Sequence, residues 1–493
     1  MIEETTAGFL ARSFSLTAML HVCIVLVIAV RVIMKRPATG VALSWLFLVT
    51  AVPFGGAAIY VLMGERRTGG RRSTELGHMR VHMRQLSEEL VREDGAGVDW
   101  SRHPPAVAGL DRLGQSIAGT AAISGSAFEL LSSPSEILHR IADDIDGARE
   151  SVLMEFYIWN EGGDTDLVLE ALMRAAKRGV VCRVLVDALG GRPWWRGKQP
   201  EALKAAGVEV LPALPVGPWR AIFGRTDLRL HRKILVVDSQ IGWTGSMNMV
   251  DPRYFKKEAG VGEWVDAMVR LEGRAVTLLA ATVVGDWAME VEDQIHTIVS
   301  DSKLKAADAK GDTDIQVIAS GPGETGDGIL LMLLSLINAA KQELILTTPY
   351  FVPDESLLRA LRGASGRGVT VTLILPEQID SFLSRHASRT YFDELYEIGV
   401  EIRFYRGGLL HTKSITVDGT LSMFGTTNLD MRSLWLNYEV SLFVYGKEFT
   451  SALRDLQLTY VEQTDKLDAE AWANRPFRQR FVDNMFRLVS PLL

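Results

Sequence analysis

Apolar residues follow two different patterns along this chain. Two long runs near the N-terminus, 14–30 and 41–63, contain no Asp, Glu, Lys or Arg. Beyond residue 110 the apolar residues come in short blocks rich in Val, Ile and Leu that alternate with stretches of helical period. Between these regions lies a polar, basic stretch, 65–105, ending in Arg-His-Pro-Pro, which reads as a juxtamembrane helix and linker. As helix, the second run is roughly 30 Å long, enough to cross a hydrocarbon core, and the first is near the short limit. The acidic start (Glu3, Glu4) and the lack of a small-residue cleavage site before Arg31 argue against a cleaved leader. The two runs therefore predict a transmembrane helical hairpin, joined by the short link RVIMKRPATG. Two spans put both flanks on one side. Those flanks carry Arg12, Arg66, Arg67, Arg71, Arg72, Arg80 and Arg84, against Arg31, Lys35 and Arg36 in the link. The positive-inside rule then places the large C-terminal body in the cytoplasm.

The blocks of the body occur twice in the same order. The first set is SVLMEFYIW, the helical DLVLEALMRAAKRG, VVCRVLVD, GVEVLP and then HRKILVVD. The second is ELILTTPYFVP, the helical ESLLRALRGASGRG, VTVTLILP, GVEIRFY and then HTKSITVD. Buried-type strands alternating with helices predict an α/β fold with a duplicated mixed sheet flanked by helices. The polar segment 301–312 lacks apolar periodicity and marks the boundary between the copies.

A chain of 493 residues exceeds what one core usually holds, in keeping with this division. The net charge of −7 disfavours nucleic acid as a partner. The two cysteines, Cys23 and Cys182, are too few for a structural zinc site, and a reduced catalytic domain is the simple reading.

Each repeat contains His-x-Lys, four residues, Asp, six residues, then Gly-(Ser/Thr)-x-Asn. The copies are His231, Lys233, Asp238, Gly245, Ser246, Asn248 and His411, Lys413, Asp418, Gly425, Thr426, Asn428. Residues two apart on a strand share a face, so each histidine lies beside a fixed cation. Lysine, asparagine and hydroxyl groups around one point suit the non-bridging oxygens of a phosphate. With two copies, one neutral imidazole can attack phosphorus and one imidazolium can protonate the leaving oxygen. Asp266 and Glu439 fall just after the motifs, and either can accept a hydrogen bond from the remote nitrogen of a histidine.

With these residues the sequence resembles the phospholipase D superfamily and, within it, the bacterial cardiolipin synthases of the A type. TTPYFVPD, NLDMRSLWLNYEV, the terminal RPFRQRFVDNMFRLVSPLL and SWLFLVTAVPFGGAAIYVLMGERR extend the resemblance to nearly the whole chain. Ser246 stands where many synthases have Gly, and Thr426 where many have Ser. The resemblance implies two tandem phospholipase D-like domains, 111–300 and 313–493, after two transmembrane helices within 1–64 and a linker over 65–110. It implies a multi-pass protein of the bacterial inner (cytoplasmic) membrane, with phosphatidylglycerol as substrate. A phosphatidyl group would pass from one phosphatidylglycerol to another, giving cardiolipin and glycerol. His231 would be the nucleophile and His411 the general acid and then base. Lys233 and Lys413 would hold phosphate oxygens, with Ser246, Asn248, Thr426 and Asn428 at the substrate. Asp238 and Asp418 would support the motif geometry. Two displacements by a histidine pair require no cofactor, metal or nucleotide. A hydrolytic phospholipase D shares the same motifs, and a nuclease or other phosphodiesterase is the rival from another class.

Three further stretches invite a reading. GPGETG (321–326) has the spacing of a dinucleotide fingerprint but lacks the acidic residue after the next strand, so a turn at the cleft is expected. His78 and His82 lie four apart without the glutamate of a zinc-protease motif and read as a solvated helix face. Trp194, Trp195, Trp219, Ile222 and Phe223, beside Arg192, Arg196, Arg220 and Arg225, suggest contact with lipid headgroups.

Overall fold

The apolar blocks of the two repeats become strands of one sheet. The computed structural model describes residues 2–36, 39–64, 70–93, 95–215, 217, 227–291, 295–322 and 327–489. The chain falls into two units, one containing Met1–Gly70 and the other Arg71–Pro215 with Asp227–Leu493. In the larger unit the first repeat contributes β1 (Ile123–Leu131), β2 (Ser151–Phe156), β3 (Val181–Asp187), β4 (Glu209–Ala213), β5 (Arg229–Leu230), β6 (Ile234–Val237), β7 (Ile241–Gly245), β8 (Trp264–Val265) and β9 (Met268–Gly273). The second contributes β10 (Thr313–Ser320), β11 (Glu343–Thr347), β12 (Phe351–Val352), β13 (Thr370–Pro376), β14 (Glu401–Tyr405), β15 (Leu409–Leu410), β16 (Ser414–Val417), β17 (Leu421–Gly425), β18 (Leu429–Asp430), β19 (Asn437–Tyr445) and β20 (Thr464–Lys466).

The sheet order is β20-β14-β13-β11-β16-β17-β19-β10-β1-β9-β7-β6-β2-β3-β4. Read outward from the antiparallel β1–β10 seam, both halves follow the same path, and β20 extends the second. This is the duplication read in the sequence. The helices Pro134–Gly147 and Thr165–Lys177 bury Ile141 and Val168 with Val184 of β3, and Gly328–Ala339 and Glu355–Gly366 bury Leu333 and Leu361 with Leu373 of β13. The helices Ala275–Val291 and Lys447–Val461 enclose a further cluster in which Leu279 and Leu453 join Leu271 of β9 and Leu442 of β19.

β1 was not evident in the sequence, because ISGSAFELL carries Ser, Gly, Ser and Glu in a nine-residue strand and so lacks a β signature. The juxtamembrane stretch forms the expected helix, Gly70–Arg92, whose Leu76, Met83 and Leu90 repeat every seven residues and are buried in the same cluster as Trp287. It therefore belongs to the core of the body.

In the smaller unit α1 (Ile2–Lys35) is continuous, and its segment Leu16–Lys35 is long and apolar enough to cross a membrane. The second apolar run is not the single span expected from its length. It forms α2 (Thr39–Ala51) and α3 (Gly55–Met63), broken where Pro53 lacks a donor and Phe54 takes a φ of 58°.

Asp238 and Asp418 sit at the turns that follow β6 and β16, with φ of 50° and 49°. The Asp238 carboxylate accepts from the backbone N–H groups of Arg149, Glu150 and Ser151 at 2.8, 2.8 and 2.9 Å. Asp418 does the same for Lys341, Gln342 and Glu343, each at 2.8 Å. Each aspartate thus ties its motif strand to the start of the neighbouring strand, β2 or β11. Asp418→Ala should cost about 2 kcal/mol by leaving these donors without their acceptor. The expected readout is a melting temperature several degrees lower in detergent, with a smaller loss for Asp418→Asn, which keeps one acceptor oxygen.

Candidate active site

Each histidine is carried to the centre by a strand that crosses to the other repeat. β5 pairs in parallel with β19, and the pairing continues as His231 N–H donates to the Tyr438 carbonyl at 2.9 Å. β15 pairs in parallel with β8, and His411 N–H donates to the Val265 carbonyl at 2.8 Å. The residue after each of these acceptors is the carboxylate that the histidine uses. His231 Nδ1 lies 2.8 Å from Glu439 Oε2, and His411 Nδ1 lies 2.7 Å from Asp266 Oδ1. Each imidazole is held by the other repeat's acid. Asp266 and Glu439 were both anticipated as partners, and the crosswise pairing is what tertiary structure adds. With Nδ1–H donated to a carboxylate, Nε2 carries the lone pair.

Lys233 and Lys413 are fully buried and hook back on their own motifs, Lys233 Nζ donating to the His231 carbonyl at 2.6 Å and Lys413 Nζ to that of His411 at 2.5 Å. Ser246 Oγ donates to Asp266 Oδ1 at 2.5 Å and accepts from Ala267 N–H at 3.0 Å. Thr426 Oγ1 accepts from Val440 N–H at 2.9 Å. These contacts need glycine just before them, because a Cβ on Gly245 would lie 2.4 Å from the Ala267 carbonyl oxygen and one on Gly425 2.4 Å from that of Val440. Asn248 Oδ1 accepts from Ile158 N–H at 3.1 Å, and Asn428 bonds to Asp430. The fold thus gathers the histidines, lysines, hydroxyls and two carboxylates. Asp238 and Asp418 stand apart, seven residues of extended chain from their histidines, about 20 Å away.

Burial dominates the electrostatics. It lowers His231 to about 4 and His411 to about 4, against the pull of Glu439 and Asp266, so both imidazoles are neutral at pH 7. Burial also lowers Lys233 to about 8 and moves Lys413 well down. It pushes Glu439 and Asp266 upward, but the adjacent histidine and lysine outweigh it and hold both carboxyls below their ordinary value. The resting set is two carboxylates and two buried lysines around two neutral rings. An entering phosphodiester anion raises the proton affinity of the rings beside it, which favours a proton on one imidazole.

Several contributors were not read from the sequence. Ser433 Oγ and Asn437 Nδ2 both donate to Glu439 Oε1, at 2.8 and 3.2 Å. Asn437 shares a face of β19 with Glu439, a two-residue spacing that would have flagged it. Arg232, between His231 and Lys233, turns to the back of the motif, where it donates to the Glu439 carbonyl at 3.0 Å, the Ser320 carbonyl at 3.1 Å and Asp286. Tyr157 packs edge-on to His231, with ring centroids 5.1 Å apart, and Trp264 sits 4.4 Å from His411.

The aromatic–arginine surface needs correction. Trp194 is only 1% exposed, stacked on Trp159 at 5.1 Å with its Nε1 donating to Gln199, so it is core and cannot meet lipid. Its ring belongs to the same buried cluster as Val168, Ala171 and Leu172, and Trp195 is half-buried beside it, donating to the Asp187 carbonyl. Trp219, Arg220, Ile222, Phe223 and Arg225 lie outside the described residues, as do 323–326 of the glycine-rich turn. His78 and His82 are exposed on their helix, as expected of a solvated face. The C-terminal helix Phe477–Val489 docks through Phe486 on Phe382 and through Asp483 on His386, and leaves Phe477, Phe481 and Met485 exposed.

Residues 141–261 and 333–456, one stretch in each repeat, match the family described as "Cardiolipin synthase, PLD-like domain". The chain is 41% identical to cardiolipin synthase A of Erwinia tasmaniensis over 94% of its own length and 96% of the relative's. It is 40% identical, with the same coverage, to cardiolipin synthase A of Yersinia pseudotuberculosis. Among solved structures, a phosphatidylserine synthase of Haemophilus influenzae superposes with a TM-score of 0.58 at 14% identity, covering 79% of this chain and all of that one, which shows the shared fold. A motif in each repeat, a family match on each repeat and near-full-length identity to these relatives place the chain in the cardiolipin synthase family of phospholipase D-like proteins.

Proposed function

We propose that this protein is a cardiolipin synthase that moves a phosphatidyl group between two phosphatidylglycerol molecules. The observation that carries the reading is the crosswise pair His231–Glu439 and His411–Asp266, which offers two oriented Nε2 atoms to one phosphorus. His231, 8% exposed against 3% for His411, is the more open ring and is assigned as nucleophile. Its Nε2 attacks phosphorus as the bond to the glycerol headgroup oxygen breaks, and His411 gives that oxygen its proton. Free glycerol leaves. His411, now neutral, takes a proton from the glycerol hydroxyl of the second lipid, whose oxygen attacks phosphorus and releases the His231 nitrogen. Lys233, Lys413 and the polar side chains of Ser246, Asn248, Thr426 and Asn428 hold the phosphate oxygens and shape their surroundings, while the ring–carboxylate bonds keep each Nδ1–H in place. Each of the domains 111–300 and 313–493 supplies half of this machinery. The body works at the cytoplasmic face of the bacterial inner membrane, anchored by its apolar N-terminal segment. The exposed Phe477, Phe481 and Met485 support contact with lipid on the body itself.

Removing either ring removes one half-reaction, so His231→Ala and His411→Ala should each reduce cardiolipin formation by at least about a thousandfold, within the range for loss of a nucleophile or general acid. In slow His411→Asn, a phosphatidyl adduct should be found on His231 by peptide mass spectrometry. An adduct on His411 would reverse the assignment.

Activity should be bell-shaped in pH. It should fall towards pH 4, where the attacking ring becomes protonated, and above about pH 8, where Lys233 loses the proton that pairs with the phosphate. A rate still climbing at pH 10 would contradict this. Lys233→Arg, always charged, should move the alkaline limb upward even if the rate drops.

Given phosphatidylglycerol alone, purified enzyme should yield cardiolipin and glycerol in equal amounts, with chelator leaving the rate nearly unchanged. Excess glycerol should drive cardiolipin back. Phosphatidic acid as the main product would instead establish a hydrolase.

A further inference from the structure

The second apolar run raises a question about how the protein sits in its membrane. α2 has 13 residues and α3 has 9, so they are about 20 and 14 Å long, and neither crosses a hydrocarbon core of roughly 30 Å. They are also not stacked end to end. The rings of Trp45 and Tyr60 meet with centroids 5.5 Å apart, whereas fifteen residues of continuous helix would separate their backbones by about 22 Å. Closer to the break, a Cβ on Gly56 would stand 2.4 Å from the Leu48 carbonyl oxygen and 2.9 Å from Val49 Cα. Both pairs are centred on residues 52–53, the signature of a helical hairpin that reverses at Pro53. Gly56 is what lets the two backbones approach so closely.

α1 lies against this hairpin. Ile28, Val32, Val49, Ala57 and Tyr60 form one buried cluster, with Trp45 packed on it. The tip reaches His21, whose ring lies 5.6 Å from that of Phe54 and whose Nε2 is 3.4 Å from the Thr50 carbonyl. His21 is fourteen residues before Lys35, about 21 Å along α1, so the tip stops some two-thirds of the way across. Outward-facing residues are apolar, with Leu43 61%, Phe47 76% and Val61 48% exposed. Two of the hairpin's hydroxyls are satisfied internally, Ser44 donating to the Gly40 carbonyl and Thr50 to that of Leu46, both at 2.8 Å.

We infer that α2–α3 is a re-entrant hairpin that enters the hydrocarbon without crossing it, and that α1 is the one crossing among the described residues of the N-terminal unit. The hairpin enters and leaves on the side where α1 ends. Charge supports this independently of the helix contacts. In a two-span arrangement the basic link carrying Arg31, Lys35 and Arg36 opposes the basic flank carrying Arg66, Arg67, Arg71 and Arg72. In the re-entrant arrangement all seven lie on one side, and the far side holds Glu3, Glu4 and Arg12. The positive-inside rule then puts link and body together in the cytoplasm and the N-terminus outside. The inference does not depend on the catalytic reading.

The test uses the full chain in bacterial cells with Cys23→Ala as background, since Cys182 is buried. Single cysteines are placed by Glu4→Cys, Ala38→Cys and Ser73→Cys, and a single symmetric peak in detergent gel filtration confirms that each variant is folded. With a membrane-impermeant maleimide on intact cells, Glu4→Cys should label fully. Ala38→Cys and Ser73→Cys should stay at background until the membrane is opened. Ala38 and Ser73 on opposite sides would establish two spans and overturn the inference, and all three positions on one side would show that α1 does not cross. A second measurement addresses the fold directly. A short bismaleimide should cross-link Trp45→Cys to Tyr60→Cys within one chain, seen as a joined peptide by mass spectrometry. Absence of that product while each single variant labels in detergent would also refute the hairpin.

Discussion

The structure depends on a pair of hydrogen bonds that cross between its halves, His231 to Glu439 and His411 to Asp266. A carboxylate is costly to bury alone, and Glu439 and Asp266 are both 0% exposed. Each is tolerated because the opposite repeat brings an imidazole and a lysine, and because its own repeat adds Ser433 and Asn437 in one case and Ser246 in the other. Neither half can satisfy its acid without its counterpart. The two copies must therefore fold against each other, and the reacting histidines come together by the same constraint.

The sheet provides the rigidity that such a site requires. The β1–β10 seam joins the halves, and β5 and β15 reach past it to pair with β19 and β8. Behind the site, Arg232 binds the Glu439 carbonyl and Asp286, tying the His231 motif to the Ala275–Val291 helix. Glu155 nearby is fully buried, and burial together with Asp286 holds its pKa well above the usual value. The second motif has Thr412 in this place, bonded to Tyr460 and the Val265 carbonyl. The duplication is thus symmetric where it faces the phosphate and asymmetric behind, where each half packs its own core.

Charge balance links the resting and working states. Burial keeps both rings neutral at rest, and a phosphate anion arriving beside them favours a proton on one of the two. The same site can therefore hold two unprotonated rings at rest and one protonated ring beside a bound phosphate anion, with the charge of that anion making the difference.

Much of this was legible in the amino-acid order. The twofold blocks, their strand and helix periods, the paired His-x-Lys motifs and the apolar N-terminus are local patterns, and local patterns follow from the covalent spacing of side chains on strands and helices. That Asp266 and Glu439 orient the histidines was also readable, because each lies close behind a motif. Which acid serves which histidine was not, since the pairing joins residues 208 and 145 positions apart and is decided by strands that exchange between repeats. Tertiary contact likewise decided the fate of the aromatic residues. Trp194 has the composition of an interfacial residue, yet the stacking of Trp159 and the helices above it make it core. The run 41–63 has the length of a span, and hydropathy cannot distinguish a straight helix from a folded one. Only the contact of Trp45 with Tyr60, made possible by Pro53 and Gly56, shows that the chain turns back.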